Sequence, residues 1–87
     1  MAMINQIVFE GMVKGEAEYS CDPHGERWAT VTLVNGGLEM DVHMRGKITE
    51  YLERMNPKQL RVVGSIAKAP HLSGYTFIMG EHVEFKK

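Results

Sequence analysis

Residues 27–55 read RWATVTLVNGGLEMDVHMRGKITEYLERM, and the changes of pattern within them decide the architecture. From 27 to 34 polar and apolar residues alternate. Ala29, Val31 and Leu33 face one way and Trp28, Thr30 and Thr32 the other, the period-two mark of a half-buried strand. Asn35-Gly36-Gly37 is a hairpin turn, because glycine accepts the positive φ that tight hairpins need. The returning stretch, 38–45, alternates again. Met40, Val42 and Met44 point inward, while Glu39, Asp41, His43 and Arg45 point outward. Then the period changes. Ile48, Tyr51, Leu52 and Met55 fall at i, i+3, i+4 and i+7, one face of a short helix. Asn56-Pro57 ends it, since the residue before a proline is pushed out of the helical region.

Working outward, residues 3–14 form an earlier strand. Ile7, Phe9 and Val13 share one face, and Ile4, Val8 and Met12 the other, so cover is expected on both faces for part of its length. Gly11 predicts a bulge or bend there. Residues 20–26, S-C-D-P-H-G-E, are turn chemistry. Beyond the helix, residues 59–68 alternate with Leu60, Val62 and Ile66 inward beside Gly64. Pro70 to Gly74 is a turn, and 75–85 is the last strand, with a bend at Gly80. Five strands with one short helix between the third and fourth describe an all-β, five-stranded Greek-key barrel, the OB-fold. A sheet this small closes only with bends, which the interrupting glycines supply.

With 87 residues, residues 1–87 form one domain; a second core would not fit. So small a core predicts marginal stability, which self-association would raise. The one cysteine, Cys21, excludes an intrachain disulfide framework and a multi-cysteine zinc site, and fits a reducing cytosol at least as well as secretion. No apolar run approaches the roughly 20 residues of a membrane span, and no signal-peptide pattern opens the chain. The net charge of -1 hides an asymmetry. Residues 1–44 carry two basic and seven acidic side chains, and residues 45–87 eight basic and four acidic. A basic surface from the second half is the functional reading of that split.

Five segments in chain order resemble a family. N-Q-I-V-F-E-G-M-V, W-A-T-V-T-L-V, V-H-M-R-G-K-I-T-E-Y-L, L-R-V-V-G-S-I and Y-T-F-I-M-G-E-H-V-E-F are similar to bacterial single-stranded DNA-binding proteins and the related primosomal replication proteins. Gly46-Lys47 leading into Ile48, Glu50, Tyr51 and Leu52 is the most specific piece. The resemblance implies an OB barrel, a homo-oligomer (dimer or tetramer) and contact with single-stranded DNA in replication, recombination or repair. It also marks a minimal or divergent member. The hairpin at Asn35-Gly36-Gly37 is shorter than the family's, and the chain closes on Phe85-Lys86-Lys87 rather than on the family's acidic tail. Glu39, Asp41, His43 and Arg45 stand where the family often has base-stacking aromatics.

Sequence-tolerant binding of a single strand needs aromatic faces for the bases and cations along the phosphates. Trp28, outward beside Thr30 and Thr32, is the first stacking candidate; packing at a subunit interface or over a barrel end is its other use. Tyr75 is the second, with a place in the core as the alternative. Phe9, Phe77 and Phe85 read as core. Arg45, Lys47, Arg61 and Lys68 are the phosphate candidates. Glu39 and Asp41 oppose them unless they pair with Arg27 or Arg45, so binding is expected to be weak, about micromolar. Met40 and Met44 read as adaptable core filling, with a promiscuous interaction surface as the alternative.

The residues carry no catalytic constellation. Cys21 and His24 are half a metal site, and His43, His71 and His82 add no ligand spacing. No nucleophile elbow and no phosphate-cradling glycine loop occurs. A binding protein is expected, with no enzyme activity, metal, cofactor, membrane contact or small-molecule substrate. Single-stranded RNA uses the same physics, and an OB barrel that has lost DNA binding would be a protein-interaction or assembly module.

Overall fold

A computed structural model describes residues 4–69 and 75–86. The turn expected at 70–74, with His71, lies outside the described residues, as do residues 1–3 and 87. The elements run β1 (Ile7–Cys21), β2 (Arg27–Asn35), β3 (Leu38–Arg45), α1 (Lys47–Met55), β4 (Gln59–Lys68) and β5 (Thr76–Lys86). The strands close a barrel in the order β1-β2-β3-β5-β4, with β4 returning to β1. Every pairing is antiparallel except β3 with β5. The five-stranded OB barrel with its helix between β3 and β4 is therefore the observed fold.

Alternation in β2 and β3 builds the core as expected. Ala29, Val31, Leu33, Val42 and Met44 are buried, joined by Phe9, Leu60, Val62 and Ile78. Each larger apolar side chain among them contributes about 1.5–3 kcal/mol through burial. From α1, Leu52 closes one end of this core. The helix presents a narrower face than its period suggests. Leu52 and Thr49 are buried, while Tyr51 and Met55 are half exposed, because a nine-residue helix lays only its middle turn on the barrel. The Thr49 hydroxyl donates to the Gly46 carbonyl at 2.7 Å, which satisfies a buried polar group. Asn56 takes the left-handed conformation and its N–H reaches the Leu52 carbonyl, ending the helix as the Asn-Pro pair predicts. An ion pair from Arg27 to Glu53, 2.7 Å, ties α1 to β2.

Four readings are corrected. First, β1 runs on to Cys21, and its irregular register lies between Lys14 and Glu18 rather than at Gly11. Gly15 supplies the positive φ there, +70°. At Gly11 the need is closeness, since a Cβ would lie 2.8 Å from the Val34 carbonyl oxygen. Second, Ile66 keeps inward parity opposite Ile78 but is 44% exposed, because β4 runs past the packed core there. Third, the β5 register shifts opposite Val63 and Gly64, so one extra residue enters β5 after Gly80. That extra residue reverses the alternation. Val83 and Phe85 pack toward the core below it, and Ile78 does so above it, which turns Phe77 outward. Fourth, the outward side chains Ile4, Val8 and Met12 are exposed rather than covered.

Candidate nucleic-acid interface

The outer face of β2 and β3 is laid out in cross-strand pairs. Trp28 stands opposite Arg45, Thr30 opposite His43, and Thr32 opposite Asp41. From β1, Ser20, Glu18 and Lys14 stand beside Trp28, Thr30 and Thr32 in turn. On the other side β5 pairs with β3 through Met79 opposite His43. Because β5 is reversed in parity above Gly80, it adds Phe77 to this face, and Tyr75 lies just before it.

At one end, three rings stand in a row. The His43 and Phe77 centroids are 4.2 Å apart, and those of Phe77 and Tyr75 5.9 Å with 30° between planes. Tyr75 donates its hydroxyl to Asp41 Oδ2 at 2.6 Å, and Thr32 Oγ1 donates to Asp41 Oδ1 at 2.7 Å. These bonds, the tyrosine's first, hold the Asp41 carboxyl below its usual range. The same bond, helped by burial, pushes the Tyr75 phenol up to about 12. Burial pushes the His43 imidazole down. Its Nε2 is buried without a hydrogen-bond partner among the described residues.

At the other end, Trp28 is half-buried and fixed. Its indole Nε1 donates to Asp22 Oδ2 at 3.2 Å, while Asp22 Oδ1 accepts the backbone N–H groups of His24 and Glu26 at 2.9 Å. The Glu26 N–H and then the indole hold the Asp22 carboxyl below its usual range. This aspartate ties the turn after β1 to the indole, a link that alternation alone does not reveal. Arg45 lies over the Trp28 ring at 5.6 Å and pairs with Glu26 at 3.5 Å.

The structure thus brings Trp28, Thr30, Thr32, Arg45 and Tyr75 onto one face. Lys47 is exposed at the start of α1, just beyond Arg45, and Lys68 is exposed at the end of β4 opposite Thr76. Arg61 stands elsewhere. It lies between β1 and β5 at the far end of β4, paired with Glu10 at 2.8 Å and Glu84 at 3.4 Å. Phe77 and His43 complete the ring row that the sequence reading assigned in part to the core. The acids also pair differently from expectation. Glu39 takes Lys14 at 2.6 Å, and Asp41 takes the two hydroxyls, while Arg27 and Arg45 go to Glu53 and Glu26. Glu16 and Glu18 join Asp41 along a shallow groove of about 390 Å³ that Thr30, Thr32, His43 and Tyr75 also line. The face is therefore aromatic at both ends and acidic along its β1 side.

Among the described residues, no group of three or more histidines, cysteines and carboxylates is placed to hold a metal. No helix among them is long and apolar enough to cross a membrane.

The barrel superposes on the wild-type single-stranded DNA binding protein from Thermus aquaticus with a TM-score of 0.82, at 17% identity, over 97% of this chain and 41% of that one. The chain shares the fold of single-stranded DNA-binding proteins. A deletion mutant of the same Thermus protein gives 0.80 at 18% identity, over 97% and 42%. The protein priB from Ralstonia solanacearum gives 0.78 at 19%, over 97% of this chain and 100% of that one. This chain spans about two fifths of the Thermus protein's length. No family model and no curated protein matches the sequence.

Proposed function

We propose that this chain binds single-stranded DNA, with little sequence preference, on the outer face of β2, β3 and β5. The observation that carries this reading is the row of rings formed by Tyr75, Phe77 and His43, with Trp28 farther along the same face. Every base has a π-face, so stacking at about 1–3 kcal/mol per base tolerates any sequence. Arg45, beside Trp28, and Lys47, just beyond it, supply phosphate contacts, and Lys68 at the end of β4, opposite Thr76, adds a third cation. Arg61, already occupied by two carboxylates, is left out of the site. Glu16, Glu18 and Glu39 on this face hold the affinity to about the micromolar range. The Thermus aquaticus protein of like fold supports the reading, since it is a single-stranded DNA binding protein. A role in replication, recombination or repair, in the cytoplasm and as a non-enzymatic binding protein, goes with it.

Self-association belongs to the same reading. Val8 and Met12 are apolar and exposed on the outward side of the first part of β1, with exposed Ile4 preceding the strand, and among the described residues the edge of β1 away from β4 carries no ladder with β2 before Met12. Pairing of two copies there would cover these side chains and lengthen the DNA-binding face.

Titration with oligo-dT, followed by the fluorescence of the sole tryptophan, tests the reading at about 20 mM and about 300 mM salt. Quenching at low salt that weakens at high salt is expected, and oligo-U as competitor ranks RNA against DNA. A second reading, a protein-interaction module, is favoured by the carboxylates of Glu16, Glu18, Glu39 and Asp41 on this face. No quenching and no gel shift, together with a folded protein, would select it.

A further inference from the structure

We infer that Asp41 is a positioning residue of the ring row: its carboxylate, gripped by Thr32 through one oxygen, anchors the Tyr75 hydroxyl with the other and fixes the outermost ring for stacking. The inference rests on the nucleic-acid reading above. By charge alone, Asp41 should be harmful, because a carboxylate on a DNA-binding face repels phosphate. Its geometry says otherwise. Both oxygens are engaged by hydroxyl donors, at 2.7 Å from Thr32 and 2.6 Å from Tyr75. Thr32 is locked in the β2 ladder directly across from Asp41, so the anchor is built on two paired strands.

Tyr75 needs such an anchor. It precedes the first residue of β5, Thr76, and its carbonyl accepts the Ala69 N–H at 3.1 Å. That bond places the backbone but leaves the phenol free to turn about two side-chain torsions. The charge-assisted bond to Asp41 removes this freedom and holds the ring 5.9 Å from Phe77. The raised phenol pKa is what a short bond to an ionised carboxylate produces. Glu39 is the built-in comparison. It lies two residues earlier on the same face of β3, carries the same charge, and pairs with Lys14 without touching a ring.

The test compares the affinity for oligo-dT of the native chain with that of D41A, E39A, Y75F and D41A/Y75F. Asp41→Ala should weaken binding about three- to tenfold, a fraction of one stacked base, although it removes a repelling charge. Tyr75→Phe, which keeps the ring and loses only the hydroxyl, should weaken it similarly. The double variant should be no weaker than the weaker single one, as expected when both break one link. Glu39→Ala should leave binding unchanged or tighten it. Tyrosinate absorbance supplies a readout independent of DNA: the tyrosine titrating at about 12 should move toward about 10 in D41A.

If native protein binds and D41A or Y75F binds equally or more tightly, the positioning role is overturned alone. A titration unmoved by Asp41→Ala overturns it as well. If native protein does not bind, the nucleic-acid reading falls and takes the role with it. Should D41A fail to fold by circular dichroism, Y75F on the intact barrel decides.

Discussion

The imidazole of His43 lies against the ring of Phe77, with centroids 4.2 Å apart, and joins β3 to β5 across the one parallel pairing of the barrel. The contact makes two modest aromatics into one surface. Phe77 is the middle ring of the row, touching His43 on one side and Tyr75 on the other. Phe77→Ala should therefore remove more binding than any other single change on this face. A loss of about tenfold or more in oligo-dT affinity is expected from the stacking energy of one base. Fluorescence anisotropy of labelled oligo-dT measures it, and native affinity in a folded F77A would remove the row from the site.

His43 should also set a pH response of stability. Burial lowers its pKa, while Asp41 pulls weakly the other way. Between that lowered value and about 6.5, the unfolded chain binds more protons than the native one. Stability then rises with pH across this window and falls on acidification through it. Melting temperatures from pH 5 to 8 should drop more steeply toward acid in the native chain than in His43→Gln. Parallel curves would show that the imidazole does not carry the response.

The two ends of the basic set should behave differently. Arg61 is held by Glu10 and Glu84 on another part of the barrel. Arg61→Gln should leave both the affinity for oligo-dT and its salt slope as they are. Lys47→Gln and Arg45→Gln should each lower the slope of log affinity against log salt by about 0.7. A series of titrations between low and moderate salt reads all three variants, and an R61Q slope that falls like the others would return Arg61 to the site.

Gly64 is a packing requirement of the barrel. A Cβ there would collide with the Met79 carbonyl oxygen, in the backbone of the facing strand. Nothing at that spot can give way, so Gly64→Ala should cost about 3 kcal/mol or more. At Gly37, with open space around it, the same change should be nearly neutral. Urea unfolding of both variants checks the contrast.

Much of this was legible in the residues. The alternation of 27–34 and 38–45, the Asn-Gly-Gly turn and the switch to a helical period named β2, β3 and α1 and their order. They also put Trp28, Thr30, Thr32 and Arg45 on one face. What escaped had physical causes. In β1, Val13, Ala17 and Tyr19 alternate with Lys14, Glu16, Glu18 and Ser20, so the continuation to Cys21 is written in the sequence, but Gly15 and Ala17 are weak strand formers and dilute the signal. In β5, counting back by twos from Phe85 puts Phe77 in the core; the extra residue after Gly80 reverses that count. The glycine was the available sign, together with Ile78 as the better core residue than its neighbours. Side-chain partners were beyond reach, because Asp22 meets Trp28 only once the β1–β2 hairpin forms and Asp41 meets Tyr75 only once β5 pairs with β3. Arg61 shares outward parity with Arg45, but a closed barrel turns one outward parity to every side.

The most direct test of the central claim, that a single strand lies on the rings of β2, β3 and β5, is a map of amide shifts. Uniformly ¹⁵N-labelled protein would be titrated with oligo-dT at low salt while its ¹H–¹⁵N spectrum is followed. Binding on this face gives saturable shifts centred on Trp28, Thr30, His43, Tyr75 and Phe77, extending to Arg45 and Lys47, with Arg61 and Glu84 unmoved. Shifts centred on Glu10, Arg61 and Glu84, or a spectrum that oligo-dT leaves unchanged, would contradict that claim.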